Sequence, residues 1–136
     1  TPLNAKGLLR SAIKDPNPVI FLENEILYGL KGEVSSDDNF TIPFGKANIA
    51  KEGSDTTIVT YSIMLQKSLE AAKILKKEFD LDIEVIDLQS LRPLDSETII
   101  SSVKKYFPPD HVFAFVRYEP PARHHYQQRQ RVFLAG

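Results

Sequence analysis

The sequence predicts an α/β fold, and three observations carry that reading. Apolar residues recur at helical spacing over residues 5–13, 64–79 and 95–105. Short apolar or β-branched runs at 19–22, 57–61, 83–88 and 112–116 lie between or after those helices. The order strand, helix, strand, helix, strand over 57–116 implies right-handed crossovers and a parallel, doubly wound sheet. At 136 residues the chain is long enough to bury a core.

Each element follows from its residues. Over 5–13, Ala5, Leu8, Leu9, Ala12 and Ile13 share one helical face, and Asn4 is available to cap its start. Asp15-Pro16-Asn17-Pro18 stops the helix, because each proline drives its predecessor away from helical backbone. Residues 19–22 read as a short strand, apolar on both faces and so buried in a parallel sheet. A helix feeding a parallel strand needs an earlier strand to pair with, so the sequence points to a missing partner upstream. Residues 29–40 turn polar, with Gly32, Ser35, Ser36, Asp37 and Asp38, and read as a linker.

The second half alternates regularly. Residues 47–50 are a candidate short strand, Gly53-Ser54-Asp55 is a turn and 57–61 is a strand. Helix 64–79 directs Leu65, Leu69, Ala72 and Leu75 inward and Lys73, Lys76 and Lys77 outward. Helix 95–105 directs Ile99, Ile100 and Val103 inward, with Asp95 or Ser96 as its cap. From Pro120 onward, paired prolines, paired histidines, glutamines and arginines follow no burial pattern, and disorder is expected. The expected organisation is the end of one domain at 1–30, a linker at 31–42, an incomplete second domain at 43–118 and a divergent tail at 119–136.

Composition narrows the function classes. Seventeen basic and 18 acidic residues create no global field for nucleic acid or an anionic membrane. No cysteine is present, so a disulfide framework and a thiolate zinc site are excluded. The longest apolar runs fall far short of the ~20 residues that span a bilayer. No signal or transit peptide pattern opens the chain, as expected of a mature or internal fragment.

Four places could carry chemistry. The turn at 12–17 ends a helix where unpaired carbonyl oxygens converge; it could hold a hard cation, or be an ordinary helix stop. Glu23, Asn24 and Glu25 follow a strand and could serve acid–base chemistry, or form a solvated or interface-facing strand end. Arg92, in Leu91-Arg92-Pro93-Leu94-Asp95, could clamp a phosphate or carboxylate, or stand at the surface beside a helix start. Tyr28 and Phe44 flank the linker and read as packing residues. His111, His124 and His125 do not have zinc-ligand spacing, and no glycine-rich phosphate loop or nucleophile elbow is present.

A set of motifs, in order and at family spacing, goes further. Residues 5–17, Phe21-Leu22-Glu23-Asn24-Glu25-Ile26-Leu27-Tyr28-Gly29 and Ile42-Pro43-Phe44-Gly45-Lys46-Ala47 resemble the beta subunit family of the thiamin-dependent decarboxylating component of pyruvate dehydrogenase. Glu52-Gly53-Ser54-Asp55, Glu84-Val85-Ile86-Asp87-Leu88, Leu91-Arg92-Pro93-Leu94-Asp95 and Ser102-Val103-Lys104-Lys105 continue the resemblance to about Lys105. Branched-chain 2-oxo acid and acetoin counterparts share the architecture. The resemblance implies the end of a pyrimidine-binding domain followed by an incomplete transketolase C-terminal-like parallel sheet. It implies oxidative decarboxylation of pyruvate to acetyl-CoA in a heterotetramer of alpha and beta subunits, served by a lipoyl acyltransferase core in the mitochondrial matrix or the bacterial cytoplasm. Thiamin diphosphate would sit between subunits, with magnesium held through the partner. Potassium would bind backbone carbonyls at Ala12, Ile13, Asp15 and Asn17, with one further family ligand upstream.

The resemblance also limits expectation. The family's cofactor-activating glutamate and a substrate-side histidine belong to the upstream part, so no catalytic or cofactor-binding residue is assigned here, and the fragment is expected to be inactive alone. Residues 106–136 depart from the family pattern. A non-catalytic binding module at the alpha–beta or acyltransferase interface is the alternative.

Overall fold

The computed structural model describes residues 1–106. The strand expected at 112–116, the three histidines and the tail at 119–136 lie outside the described residues. Six regular elements build the rest: α1 (Pro2–Lys14), β1 (Asn48–Lys51), β2 (Thr56–Thr60), α2 (Ile63–Phe79), β3 (Ile83–Asp87) and α3 (Ser96–Tyr106). A short 3-10 turn, Glu25–Gly29, lies between α1 and β1.

The core forms around β3, which is buried along its whole length. β2 runs parallel to it, in register from Thr56 opposite Ile83 to Thr60 opposite Asp87. That is the expected β–α–β unit. β1 pairs with the other edge of β3, antiparallel and with an irregularity between Ile49 and Lys51, so the three-stranded sheet is mixed. The candidate strand at 47–50 thus enters the sheet in the opposite sense to the two strands that patterning placed there.

Period-two alternation sends β3 side chains to two different layers. Ile83 and Val85 pack with Leu65 and Ala72 of α2, flanked by Ile58, Leu69 and Leu75. Ile86 joins Val59 and Leu88 on the other face, where Ile99 of α3 covers them. Burying each such aliphatic side chain stabilises the fold by about 1.5–3 kcal/mol. The helices therefore lie on opposite faces of the sheet. Ile100, expected inward, is half exposed, because the inward row is Ile99, Ser102 and Val103. Glu84, on the α3 face, requires that serine.

Two glycines are dictated by close approach. A Cβ on Gly7 would lie 2.6 Å from Ile42 Cγ1 and 2.8 Å from Phe40, so α1 can sit against the 40–42 segment only as built. The contact is sealed by Ile42 N–H donating to Gly7 O at 3.2 Å and by Ser11 Oγ donating to Ile42 O at 2.5 Å. A Cβ on Gly53 would strike the backbone of Ile83 and Glu84. Its turn is clasped by Ser54 and Asp55 N–H on Asp82 O and by Asp82 N–H on Asp55 Oδ2.

Two further expectations fail. Thr1, not Asn4, caps α1: Thr1 Oγ1 accepts from Asn4 N–H at 3.2 Å, which frees the Asn4 side chain to reach the sheet. Residues 19–22 are not a strand. They run past the sheet with Ile20 88% and Leu22 78% exposed, because no neighbouring strand among the described residues lies alongside to pair with them.

Candidate functional site

A cleft of about 920 Å³ opens where α1 and the segment after it face the carboxyl ends of β2 and β3. In open α/β sheets that end of the strands is where sites form. Asn4, Ile20, Tyr28, Leu65, Asp87 and Arg92 are among its walls. Asn4 Nδ2 donates to Asp87 Oδ2 at 3.3 Å, tying α1 to the end of β3. Burial pushes the Asp87 carboxyl above the ordinary range, only partly offset by the Gln89 N–H and Asn4 bonds. Gln89, next in the loop, has a φ of +57°, which turns the chain sharply away from the strand.

Of the two readings open for Glu23, Asn24 and Glu25, the solvated one fits: both glutamates are exposed and the segment forms a cap. Asn24 Oδ1 accepts from Ile26 N–H at 3.0 Å and starts the 3-10 turn. Glu23 accepts from the Tyr28 hydroxyl at 2.7 Å, and this bond holds the phenol above its ordinary pKa. Tyr28 is exposed rather than packed, while Phe44 is half-buried. Arg92 is exposed at the start of the loop to α3.

At the end of α1 the four expected cation ligands lie close in the chain but do different things. Asp15 is the C-cap, its N–H donating to Ser11 O at 3.0 Å. Asp15 Oδ1 accepts from both Asn17 N–H (2.9 Å) and Asn17 Nδ2 (3.0 Å). The helical donor for the Ala12 carbonyl would be residue 16, a proline with no N–H. The donor for the Ile13 carbonyl would be Asn17, whose N–H is already given to Asp15. Both carbonyls are thus left without their helical partners, which suits the chemistry of a carbonyl-lined cation site. Asp15 borders the main cleft and also a smaller hollow formed with Ser11, Thr41 and Phe44. Among the described residues no group of three or more His, Cys, Asp or Glu side chains could hold a metal ion.

Two further carboxylates are buried among polar partners, and of these the sequence reading singled out only Asp95, as a helix cap. Glu84 is 1% exposed on β3; Thr57 Oγ1 at 3.2 Å, Ser102 Oγ and Lys105 Nζ at 3.4 Å all reach it. A charged residue inside an apolar strand was its signal, since such a group stays only where partners meet it. Asp95 is 4% exposed and caps α3, accepting from Thr98 N–H at 3.1 Å and Thr98 Oγ1 at 2.7 Å. It also accepts from Ala47 N–H at 2.8 Å, and these bonds, Ala47's foremost, lower its pKa to about 2.

Residues 45–108 match the transketolase C-terminal domain family. Over 105 residues the chain is 55% identical to the mitochondrial pyruvate dehydrogenase E1 component subunit beta of Saccharomyces cerevisiae, covering 75% of this chain and 28% of that protein. The corresponding Rhizobium meliloti subunit is 51% identical over 105 residues, which is 77% of this chain and 23% of that one. A Cupriavidus necator protein, acetoin:2,6-dichlorophenolindophenol oxidoreductase subunit beta, is 50% identical over 104 residues, 76% of this chain and 30% of its own length. Over the matched span the chain is similar to pyruvate dehydrogenase E1 beta subunits.

It spans about a quarter of the length of these E1 beta relatives. Within that span the family match begins at Gly45, whose φ of +75° and 3.0 Å approach of a Cβ to Pro93 require glycine. It takes in β1, β2, α2, β3 and α3, so the mixed sheet with helices on both faces is an incomplete transketolase C-terminal-type domain.

Proposed function

We propose that this chain is a scaffold portion of a pyruvate dehydrogenase E1 beta subunit, serving the oxidative decarboxylation of pyruvate to acetyl-CoA. The single observation that carries this reading is 55% identity to the yeast subunit over 105 residues. In this reading residues 1–30 are the end of a pyrimidine-binding domain, 31–42 the linker and 43 onward the transketolase-type domain. The assembled enzyme is a heterotetramer of alpha and beta subunits that hands its product to a lipoyl acyltransferase core. Relatives named as mitochondrial and bacterial ones match about equally well, so the compartment is the mitochondrial matrix or the bacterial cytoplasm according to source.

Thiamin diphosphate, which supplies the carbanion chemistry of such decarboxylations, is assigned to other parts of the enzyme. The described residues do not fit it: they offer neither a phosphate-cradling glycine loop nor a carboxylate cluster for its magnesium. Potassium is assigned here, at the carbonyls of Ala12, Ile13, Asp15 and Asn17. The support is the loss of helical donors that Pro16 and the Asp15–Asn17 bonds impose.

The test is turnover of pyruvate by this chain with an E1 alpha subunit and thiamin diphosphate. No acetyl transfer is expected, because the charge-positioning groups of the reaction lie elsewhere; measurable transfer contradicts a scaffold role. The acetoin reading is favoured only by the 50% identical Cupriavidus protein. It is tested by whether a yeast E1 beta subunit carrying these 105 residues in place of its own keeps pyruvate as its substrate.

A further inference from the structure

Two cations on α1 face the linker. Lys6 and Arg10 stand one helical turn apart, so their side chains lie on the same side of the helix. Lys6 Nζ donates to Ser35 O at 2.6 Å, and Arg10 Nη2 pairs with Asp38 Oδ1 at 3.7 Å. Arg10 Nη1 is buried and has no hydrogen-bond partner among the described residues. The Arg10–Asp38 pair is weak, because the Asp38 side chain is 95% exposed to water. Between these two contacts stands Ser36, exposed, its hydroxyl without a hydrogen bond among the described residues. Its neighbour Ser35 is half-buried, and Ser35 Oγ already accepts from Asp37 N–H at 3.1 Å.

We infer that Ser36 is a phosphorylation site whose phosphate is received by Lys6 and Arg10 of α1. The modifying enzyme is a serine/threonine kinase that reads carboxylates after its target, since Asp37 and Asp38 follow directly. In the transfer, Ser36 Oγ attacks the γ-phosphorus of ATP and the bond to the departing ADP breaks. The hydroxyl proton passes to a base of the kinase. The phosphoserine carries about two negative charges and strong acceptor oxygens. The Ser35 carbonyl that holds Lys6 belongs to the peptide unit joined to Ser36, so this ammonium stands one peptide from the phosphate. Arg10 exchanges the solvated Asp38 carboxylate for the phosphate and turns its unpartnered Nη1 toward an acceptor. The phosphate thereby straps the linker to α1, which already meets it through Gly7 and Ser11. The inference stands on this geometry and requires neither potassium binding nor pyruvate chemistry.

The experiment has two arms. In the first, the full chain is treated with ATP and a casein-type acidophilic kinase, and fragmentation mass spectrometry reads the modified residue. Phosphate on Ser36 with Ser35 spared is the expected result. In the second, phosphoserine is genetically encoded at position 36, and phosphorus NMR follows the second phosphate ionisation against pH. Its midpoint is expected to lie about half a pH unit below that of the same phosphoprotein carrying Lys6→Gln and Arg10→Gln, because nearby cations favour the dianion. Lys6→Gln alone, which keeps Arg10 in place, is expected to raise the midpoint part of the way. Amide exchange over residues 35–39 is expected to slow about threefold on phosphorylation, and to stay unchanged in the double variant. No phosphate on Ser36, equal midpoints with and without the two cations, or unchanged exchange at 35–39 would each overturn the proposal. Failure of pyruvate turnover leaves it standing, so the two readings separate.

Discussion

Asp95 joins two parts of the chain through one carboxylate: the first turn of α3, where it meets both the N–H and the hydroxyl of Thr98, and the Ala47 N–H ahead of β1. Its folded pKa lies below the ordinary 3.8, at about 2. A depressed pKa contributes stability that is complete above the unfolded value and is lost as pH falls from about 4 to about 2, on the order of 2 kcal/mol. Asp95→Ala should therefore cost about 1–2 kcal/mol at pH 7 and flatten the acid limb of a stability–pH curve, measured by urea unfolding. Asp87 acts in the opposite sense: its pKa is raised by burial, so its contribution is present at low pH and lost as pH rises through the folded value. Asp87→Asn should reduce the loss of stability between pH 4 and pH 7. Gly53→Ala should destabilise by about 1–3 kcal/mol, because only backbone can yield to the added Cβ. The Asp95 cap and the Gly53 turn were legible in sequence, since both depend on local geometry. Glu84 with Ser102, and Asn4 with Asp87, join residues 18 and 83 positions apart, which local patterning cannot see.

The helices α2 and α3 were legible because a buried stripe at period 3.6 survives in any surroundings. The strand expected at 19–22 was not, because a two-sided apolar run says only that both faces want cover, and the described chain supplies none. The sense of β1 was illegible for a related reason: four residues carry no signal of direction. The turn after α1 is the element with a ligand prediction. A cation bound only by the folded chain must raise its stability. The melting temperature should be higher in potassium chloride than in tetramethylammonium chloride at equal ionic strength. Pro16→Ala should shrink that difference by returning an N–H donor to the Ala12 carbonyl. Equal melting temperatures in the two salts would remove the site.

The described chain is an α/β layer with its core around β3 and an apolar edge facing a wide cleft. The identity of its sheet was readable because local preference and family motifs agree from Gly45 onward. What was not readable is what the cleft receives, because the chain spans about a quarter of its relatives. The central claim is that these residues are scaffold completed by the rest of an E1 beta subunit. Acetyl production from pyruvate tests it most directly, with an E1 alpha subunit and thiamin diphosphate present, before and after adding the yeast portion that the chain does not match. The account predicts no turnover by the chain with the alpha subunit and turnover when the yeast portion joins them. Turnover without the yeast portion would contradict it.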